Sequence, residues 1–382
     1  LRHEFLLGMD HQKITSRWRG TSQSEGAGGD LDVFDPGSTP WPQPPTRKDF
    51  FRDYSPNDQV QYGLYSTLRL QLAEPLHLIV GARVQRVKYS QTYMADWDGG
   101  GFKTESDVSS REPTKLTPYG GLVYDLNDEW STYASYSEQY RPQQLKLQGP
   151  PPGTPLEAMK GRAYETGLKG ELFGGAVNTN FSIYYTEREN EAVGDSRYPS
   201  TEVQFGGNCC YLAEGKVISK GVDMEVSGEV MPDWMLIAGY TYNNNQNRKD
   251  NAAFSTITPK HMVKFWATYR LPGAFNDVKL GGGVNLQSAT YVSGSAGVLD
   301  KMGNPVKDAD GENLSIPFDY KQSGYAVWNA MAEYRLDENW TLVYNLNNVF
   351  DKTYYTAVGS SYSGNWYGDP RNHMLTLRGT FW

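Results

Sequence analysis

Residues 340–355, WTLVYNLNNVFDKTYY, and 368–382, GDPRNHMLTLRGTFW, flank a polar loop at the end of the chain. Trp340, Leu342, Tyr344 and Leu346 alternate with Thr341, Val343, Asn345 and Asn347. A period of two sends the first set to one face of a strand and the second to the other. One face suits hydrocarbon, while the other is too rich in Asn for a dry core. In the return strand Leu375, Leu377 and Phe381 oppose Thr376, Arg378 and Thr380. A hairpin that is apolar outside, wet inside and aromatic at its end predicts an antiparallel transmembrane β-barrel.

Working outward, the same alternation recurs in windows 3–18, 62–72, 76–93, 115–126, 129–141, 160–172 and 175–190. It continues through 216–231, 233–245, 260–272, 277–291, 324–336, 339–353 and 371–382, about fourteen strands in all. It is cleanest where Val222, Met224 and Val226 oppose Asp223, Glu225 and Ser227. Connections alternate between short and long. The short ones (AEP, NDE, FGG, MPD, PGAFND, DEN) carry the Gly, Pro, Asp or Asn of tight turns. The long ones cover about 94–114, 142–159, 191–215, 246–259, 292–323 and 354–370, and a polar stretch runs from the first strand to about Asn57. Short inner turns and long outer loops are the plan of an all-β, up-and-down outer-membrane barrel. The C-terminus then lies on the periplasmic side, and Trp130, Trp234 and Trp340, each just after a short turn, sit at the inner interface.

Composition agrees with this plan. The 382 residues contain no uninterrupted apolar run long enough for a membrane helix, which leaves barrel strands as the only way across a bilayer. A net charge of −8 with no dominant basic segment argues against nucleic acid as partner. The first residue is Leu1, no signal-peptide pattern follows it, and the chain reads as cut at its start. Cys209 and Cys210 are the only cysteines; they form a vicinal disulfide, stay free, or pair with another molecule, and a loop staple is the plain reading.

Catalytic and metal motifs are missing. His3, His11, His77, His261 and His373 fall on separate strands without metal-ligand spacing. The run Asp308-Ala-Asp310-Gly-Glu312 begins like a calcium loop but lacks its downstream Glu. Asp223 and Glu225, two apart on the wet face, are expected to pair with Arg or Lys of neighbouring strands rather than to act as acid and base. What the long loops do carry is aromatic: Trp41, Trp97, Tyr198, Tyr211, Tyr291, Tyr362, Trp366 and Tyr367.

Five strings are recognisable in order: ASYSEQYRPQ (134–143), PLEAMKGRAYETGLKGE (155–171), KGVDMEVSGEVMPDW (220–234) running on to Tyr242, NLNNVFDKTYY (345–355) and YGDPRN (367–372). Together they resemble the TonB-dependent ferric-siderophore receptors of Gram-negative outer membranes. The Cys-Cys loop and residues 220–234 are most similar to receptors for hydroxamate siderophores of the coprogen and ferrioxamine kind and to pyoverdine receptors.

The resemblance implies a barrel of about 22 strands filled by an N-terminal plug. Residues 1–382 are then expected to be the C-terminal part of that barrel, with signal peptide, TonB-contacting segment, plug and first strands lying outside them. It further implies a non-enzymatic receptor with a ferric siderophore as transported ligand, outer-membrane lipid and lipopolysaccharide around it, and TonB reached through the N-terminal region. No resident cofactor or metal is expected, because iron stays inside its chelate. Aromatic faces suit such a compact, largely apolar chelate. The expected ligand contacts are therefore Trp366, Tyr367, Tyr362, Trp97, Tyr211, Tyr291 and Trp41, with the loop from Ala357 to Trp366 foremost.

One departure is that Trp382 lies on the opposite parity to Leu375, Leu377 and Phe381, where the family ends its apolar series on the final aromatic. The competing readings are a like-built receptor for haem, cobalamin or an oligosaccharide, an outer-membrane enzyme, and a porin. A haem receptor would carry loop-tip His, an enzyme a converging Ser/His or Asp/His set, and a porin opposed rows of Arg and acidic residues.

Overall fold

The structure is a computed structural model that describes residues 2–23, 50–96, 101–150, 153–198, 209–249, 253–300, 305–308, 311, 313–359 and 364–380. Nineteen strands account for most of them. They are β1 (His3–Gln23), β2 (Phe50–Ala73), β3 (Leu76–Asp96), β4 (Lys103–Arg111), β5 (Lys115–Asp125), β6 (Trp130–Gln148) and β7 (Thr154–Leu172). Then come β8 (Val177–Gly194), β9 (Tyr211–Met231), β10 (Trp234–Asn247), β11 (His261–Arg270), β12 (Val278–Gln287), β13 (Thr290–Gly297) and β14 (Ser315–Gln322). The last are β15 (Tyr325–Arg335), β16 (Trp340–Asn347), β17 (Tyr355–Ala357), β18 (Trp366–Tyr367) and β19 (Asn372–Gly379). No helix is long and apolar enough to cross a membrane, which says nothing about strands.

One antiparallel sheet holds fifteen strands in the order β1-β2-β3-β5-β6-β7-β8-β9-β10-β11-β12-β15-β16-β19, with β4 attached to β3. Along this path the strands follow chain order, with β13–β14 and β17–β18 set aside as separate hairpins, as an up-and-down wall requires. Among the described residues the sheet is not closed: β1 pairs only with β2, and β19 only with β16.

Two of the short turns are built alike. In Leu126–Trp130 the Asn127 Oδ1 accepts from the N–H groups of Glu129 (2.9 Å) and Trp130 (2.8 Å). In Leu336–Trp340 the Asp337 Oδ1 accepts from Asn339 and Trp340, both at 2.8 Å. A side chain that bonds its own backbone two or three residues on makes the turn locally determined. Trp130, Trp234 and Trp340 are the first residues of β6, β10 and β16. The register puts all three on the apolar, outward face, and Trp234 packs on Tyr269 of β11 with centroids 4.7 Å apart.

The inward face has a recurrent device. Gly8 faces Tyr65, Gly81 faces Tyr119, Gly167 faces Tyr133, Gly221 faces Tyr184 and Gly283 faces Trp266, each as a direct cross-strand pair. In every pair the ring lies where a Cβ on the glycine would stand. Aromatic rings thus lie flat against the wall across successive strands, covering backbone that glycine leaves bare.

The alternating windows all coincide with strands of the main path, but the long connections differ from the expectation. Residues 50–57 already belong to β2, β6 runs to Gln148, and β9 starts at Tyr211. Connection 94–114 contains β4, connection 292–323 runs through most of β13 and all of β14, and connection 354–370 contains β17 and β18. Above the bilayer both faces of a hairpin are wet, so the hydrophobic period of two disappears while the backbone ladder goes on. At the other extreme β16 stops at Asn347, because Asn348 (φ 51) and Asp351 (φ 52) turn left-handed where extended backbone was expected to 353.

The expected pairing of Asp223 and Glu225 with cations is not found. Their cross-strand neighbours are Ser182 and Thr241, and Asn180 and Gly239, none of which carries charge.

Candidate functional site

At the external end the closing hairpin is held by one buried side chain. Asn348, 2% exposed, donates through Nδ2 to the carbonyls of Lys352 (2.9 Å) and Asp369 (3.1 Å), and its Oδ1 accepts from Lys352 N–H (2.8 Å). Its own N–H reaches Asn329 Oδ1 of β15 (3.0 Å). Asp351 Oδ1 accepts from Arg371 N–H (2.8 Å). The strings NLNNVFDKTYY and YGDPRN are therefore two halves of one hydrogen-bonded clasp.

The clasp presents β17 and β18. Tyr355 faces Tyr367 in register, their rings stack at 4.6 Å, and the Tyr355 hydroxyl donates to that of Tyr367 at 3.1 Å. That bond, together with partial loss of solvent, holds the Tyr355 phenol above its ordinary pKa. Trp366 and Tyr367 remain 69% and 66% exposed, so their faces are open to the mouth. Beneath them is a cavity of about 520 Å³ lined by Lys264, Asn285, Gln287, Tyr325, Asn329, Asn347 and Tyr354, among others. Tyr325 and Tyr354 pack on its wall with ring centroids 4.5 Å apart, tilted by 34°. An open aromatic lip over a wet, amide-rich cavity can seat a bulky ligand with apolar faces and polar edges.

Other expected contacts lie around the rim. Tyr291 is on β13, 40% exposed, and its N–H donates to Thr256 (3.0 Å). The β13–β14 hairpin touches the clasp where Tyr355 N–H donates to Gln322 Oε1 (3.0 Å). Tyr291 and the Trp366–Tyr367 lip thus belong to adjoining hairpins. Tyr211 opens β9 on the other side of the mouth and is engaged by Lys146, whose ammonium donates to its hydroxyl (3.0 Å) and lies 4.2 Å from the ring centroid. Among the described residues no hydrogen bond or ring contact joins Tyr211 to the lip. Trp41, Trp97 and Tyr362 lie outside the described residues, as do Asp310, Glu312, Phe381 and Trp382.

Cys209 and Cys210 form a disulfide with each other and are buried at 5% and 4% exposure. The Cys209 sulfur lies 3.1 Å from the Gly149 carbonyl, and the Cys210 carbonyl accepts from Asp195 N–H (2.9 Å). The pair therefore ties the β8–β9 connection to the β6–β7 connection. Next to it the buried Asp195 receives three bonds from the Arg197 guanidinium (2.9, 3.2 and 2.7 Å), which hold its carboxyl below the usual range.

Lys146, Tyr325, Tyr354 and Asn348 escaped the sequence reading. Tyr325 and Tyr354 had an available signal, because both flank connections already marked as long. Asn348 had none, since an Asn in a turn gives no sign that it will be buried. The five histidines all lie on strands, and His77 bonds Asp125 at 3.1 Å. Among the described residues no group of His, Cys, Asp and Glu could hold a metal ion. A cavity of about 960 Å³ is at the opposite, short-turn end, lined by Asn127, Glu129, Trp130, Lys169, Glu225 and neighbours.

An all-β up-and-down wall with short turns at one end and long aromatic-bearing connections at the other has the build of an outer-membrane β-barrel. The profile of "TonB dependent receptor-like, beta-barrel" proteins matches residues 1–349, and the chain belongs to that family, whose members are transport receptors of the Gram-negative outer membrane. It is 35% identical over 327 residues to the ferric-pyoverdine M114 receptor PbuA of Pseudomonas sp. strain M114, covering 84% of this chain and 36% of that protein. It is 32% identical over 385 residues to the ferric-pyoverdine 358 receptor of Pseudomonas putida, covering 99% and 42%. The chain thus spans about two fifths of the length of these relatives. The crystal structure of the ferripyoverdine receptor of the outer membrane of Pseudomonas aeruginosa bound to ferripyoverdine superposes with a TM-score of 0.75 at 29% identity, over 99% of this chain and 46% of that one.

Proposed function

We propose that this chain forms the C-terminal wall and mouth of an outer-membrane receptor that takes up a ferric siderophore of the pyoverdine and hydroxamate class. The observation that carries the reading is the open Trp366–Tyr367 lip over the cavity, in a chain whose relatives at 32–35% identity are ferric-pyoverdine receptors. In this reading further strands join β19 to β1 to complete a barrel of about 22 strands. A plug fills the lumen and TonB energises release into the periplasm. Outer-leaflet lipid and lipopolysaccharide surround the outward face.

The ligand's iron stays inside its chelate, so the residues at the mouth bind by shape, ring stacking and hydrogen bonding. Trp366 and Tyr367 supply faces, while Tyr325, Asn329 and Asn347 supply polar groups beneath.

The test uses the receptor expressed from its complete reading frame in a siderophore-deficient strain under iron limitation. Individual ferric siderophores are supplied one at a time. Rescue by a pyoverdine or another hydroxamate is expected, and rescue by haem alone would sink the reading. Trp366→Ala is expected to weaken ferric-siderophore binding about tenfold or more, the range of an aromatic hot spot. An unchanged dissociation constant would remove Trp366 from the site.

A further inference from the structure

Near the external end of β8, Arg188 stands four residues beyond the inward Tyr184 and so faces the mouth as well. In a regular strand Glu191, three residues on, would point to the opposite face. Here the pairing of β8 with β9 shifts register between Arg188 and Glu191, where Asn190 turns left-handed (φ 62). The bulge returns Glu191 to the inward face, and its Oε2 sits 2.6 Å from Arg188 Nε. Buried Gln143 of β6 fixes the bulge. Its Nε2 donates to the Asn190 carbonyl (2.7 Å), and its Oε1 accepts from Ala192 N–H (3.2 Å).

What the guanidinium holds is the β10–β11 connection. Arg188 Cζ lies 4.8 Å from the centroid of the Phe254 ring, a cation–π contact. Residues 253–258 are tied at two further points. On the β10 side, Phe254 N–H donates to the Asn245 carbonyl (3.3 Å) and Ser255 N–H to Asn245 Oδ1 (2.6 Å). On the other side, the Thr256 carbonyl accepts from Tyr291 N–H of β13 (3.0 Å). The connection is thus a strap that reaches back to β8 and forward to the β13–β14 hairpin. From there Gln322 accepts from Tyr355 N–H, and Tyr355 stacks on Tyr367. One line of contacts runs from Glu191 and Arg188 through Phe254, Thr256 and Tyr291 to the lip.

Two neighbouring cations are used differently. Arg162 pairs with Glu189 (3.3 Å), and Lys216 pairs with Glu189 (3.0 Å) and Glu187, all within β7–β9 themselves. Neither pair engages the strap.

We propose that Arg188 is a positioning residue for ligand recognition. Stacked on Phe254 it fixes the strap, and the strap makes the β8 side of the mouth and the Trp366–Tyr367 lip bind a ligand as one unit. The ligand rests on the siderophore-receptor reading, while the tie rests on the contacts alone. Such a tie has a thermodynamic signature. If Arg188 acts by holding the lip in place, its removal matters less once Trp366 is gone. If it only stabilises β8, the two losses multiply.

The test uses the complete receptor in detergent, with ferric pyoverdine and ferrioxamine B as probes. For the tighter probe, Arg188→Ala is expected to weaken binding about fivefold and Trp366→Ala about tenfold. The double variant is expected near tenfold, against roughly fiftyfold for independent effects. Arg188→Lys keeps the charge without the planar face and should recover only part of the loss. Phe254→Tyr keeps the ring and should lose less than Phe254→Ala. Lys216→Gln is expected to bind like the native protein. Native-like binding by Arg188→Ala, or a fully multiplied loss in the double variant, overturns the proposal. Hydrogen exchange without ligand separates the tie from the choice of ligand. Exchange at the Tyr291 amide is expected to quicken about tenfold in Arg188→Ala and in Phe254→Ala, and not in Lys216→Gln. Unchanged exchange overturns the strap whichever siderophore is bound. If the native protein binds neither probe while exchange responds as expected, the ligand reading fails and the tie stands. If Arg188→Ala does not assemble, judged by heat-modified gel mobility, Phe254→Ala must show both effects or the proposal falls.

Discussion

Asn348 matters more to the closing hairpin than any of its aromatics. Replacing it with Ala removes its hydrogen bonds to the Lys352 N–H and to the carbonyls of Lys352 and Asp369, residues that are themselves exposed. Hydrogen bonds that water can replace in part are worth about 0.5–1.5 kcal/mol each. Asn348→Ala is therefore expected to lower the temperature at which the assembled receptor converts on gels and to weaken ligand binding at the lip. Asn348→Asp, which keeps only the acceptor, should fall between; equal behaviour of Asn348→Ala and native protein would refute the clasp. Asp195 offers a pH test. Its folded pKa lies below the ordinary value near 4, so its contribution is complete above that value and fades as pH falls through the lower folded one. Protection of the Asp195 amide, bonded to Cys210, is expected to hold at pH 5–7 and to drop only below about pH 4. In Asp195→Asn the drop should vanish, and its persistence would point to another carboxyl. Trp366 and Tyr367 were legible as loop aromatics in a polar connection, and both are exposed in the structure. Asn348 was not legible, since burial of a turn residue is decided by strands distant in sequence.

At the scale of elements, legibility follows solvent. Wherever one face of a strand meets hydrocarbon and the other meets water, alternation reveals it, as in Val222–Val226 and Val263–Tyr269. Where the same strand rises clear of the bilayer, both faces are polar and the pattern fades, so the upper part of β2 and the hairpins β13–β14 and β17–β18 were read as loops. The twin turns at Asn127 and Asp337 were legible, because their geometry rests on side-chain bonds made within four residues. The Gly–aromatic pairs were not: each needs the cross-strand register, which one sequence does not display. They yield a comparison within β9–β10. A Cβ on Gly221 would collide with the Tyr242 carbonyl and the Tyr184 hydroxyl, whereas one on Gly239 comes no nearer than 3.8 Å to Met224 O. Gly221→Ala is expected to destabilise by about 1–3 kcal/mol, as overpacking does, and Gly239→Ala to be near neutral. Denaturant midpoints of the two variants decide it, and equal midpoints would dismiss the ring-over-glycine packing as incidental.

At the scale of the molecule, the open sheet sets the conditions under which the chain is stable in lipid. Among the described residues β1 presents 21 residues and β19 presents 8 on edges without partners in the sheet. In hydrocarbon each unpaired N–H or C=O costs several kcal/mol, so open edges do not persist there. Direct pairing of β19 with β1 would have the right antiparallel sense but would cover well under half of β1. Intervening strands of matching length meet the requirement better, in keeping with relatives more than twice as long. Residues 1–382 refolded alone into detergent are therefore expected to aggregate or pair edge to edge, and not to give a heat-modifiable monomer. A cysteine pair at Phe5 and Leu375, one on each edge, distinguishes the outcomes. If further strands complete the barrel, as proposed, the two lie too far apart to cross-link in the complete receptor. A rapid intramolecular disulfide would instead show that β19 closes directly onto β1, making the small barrel the true one and the lumen too narrow for a plug.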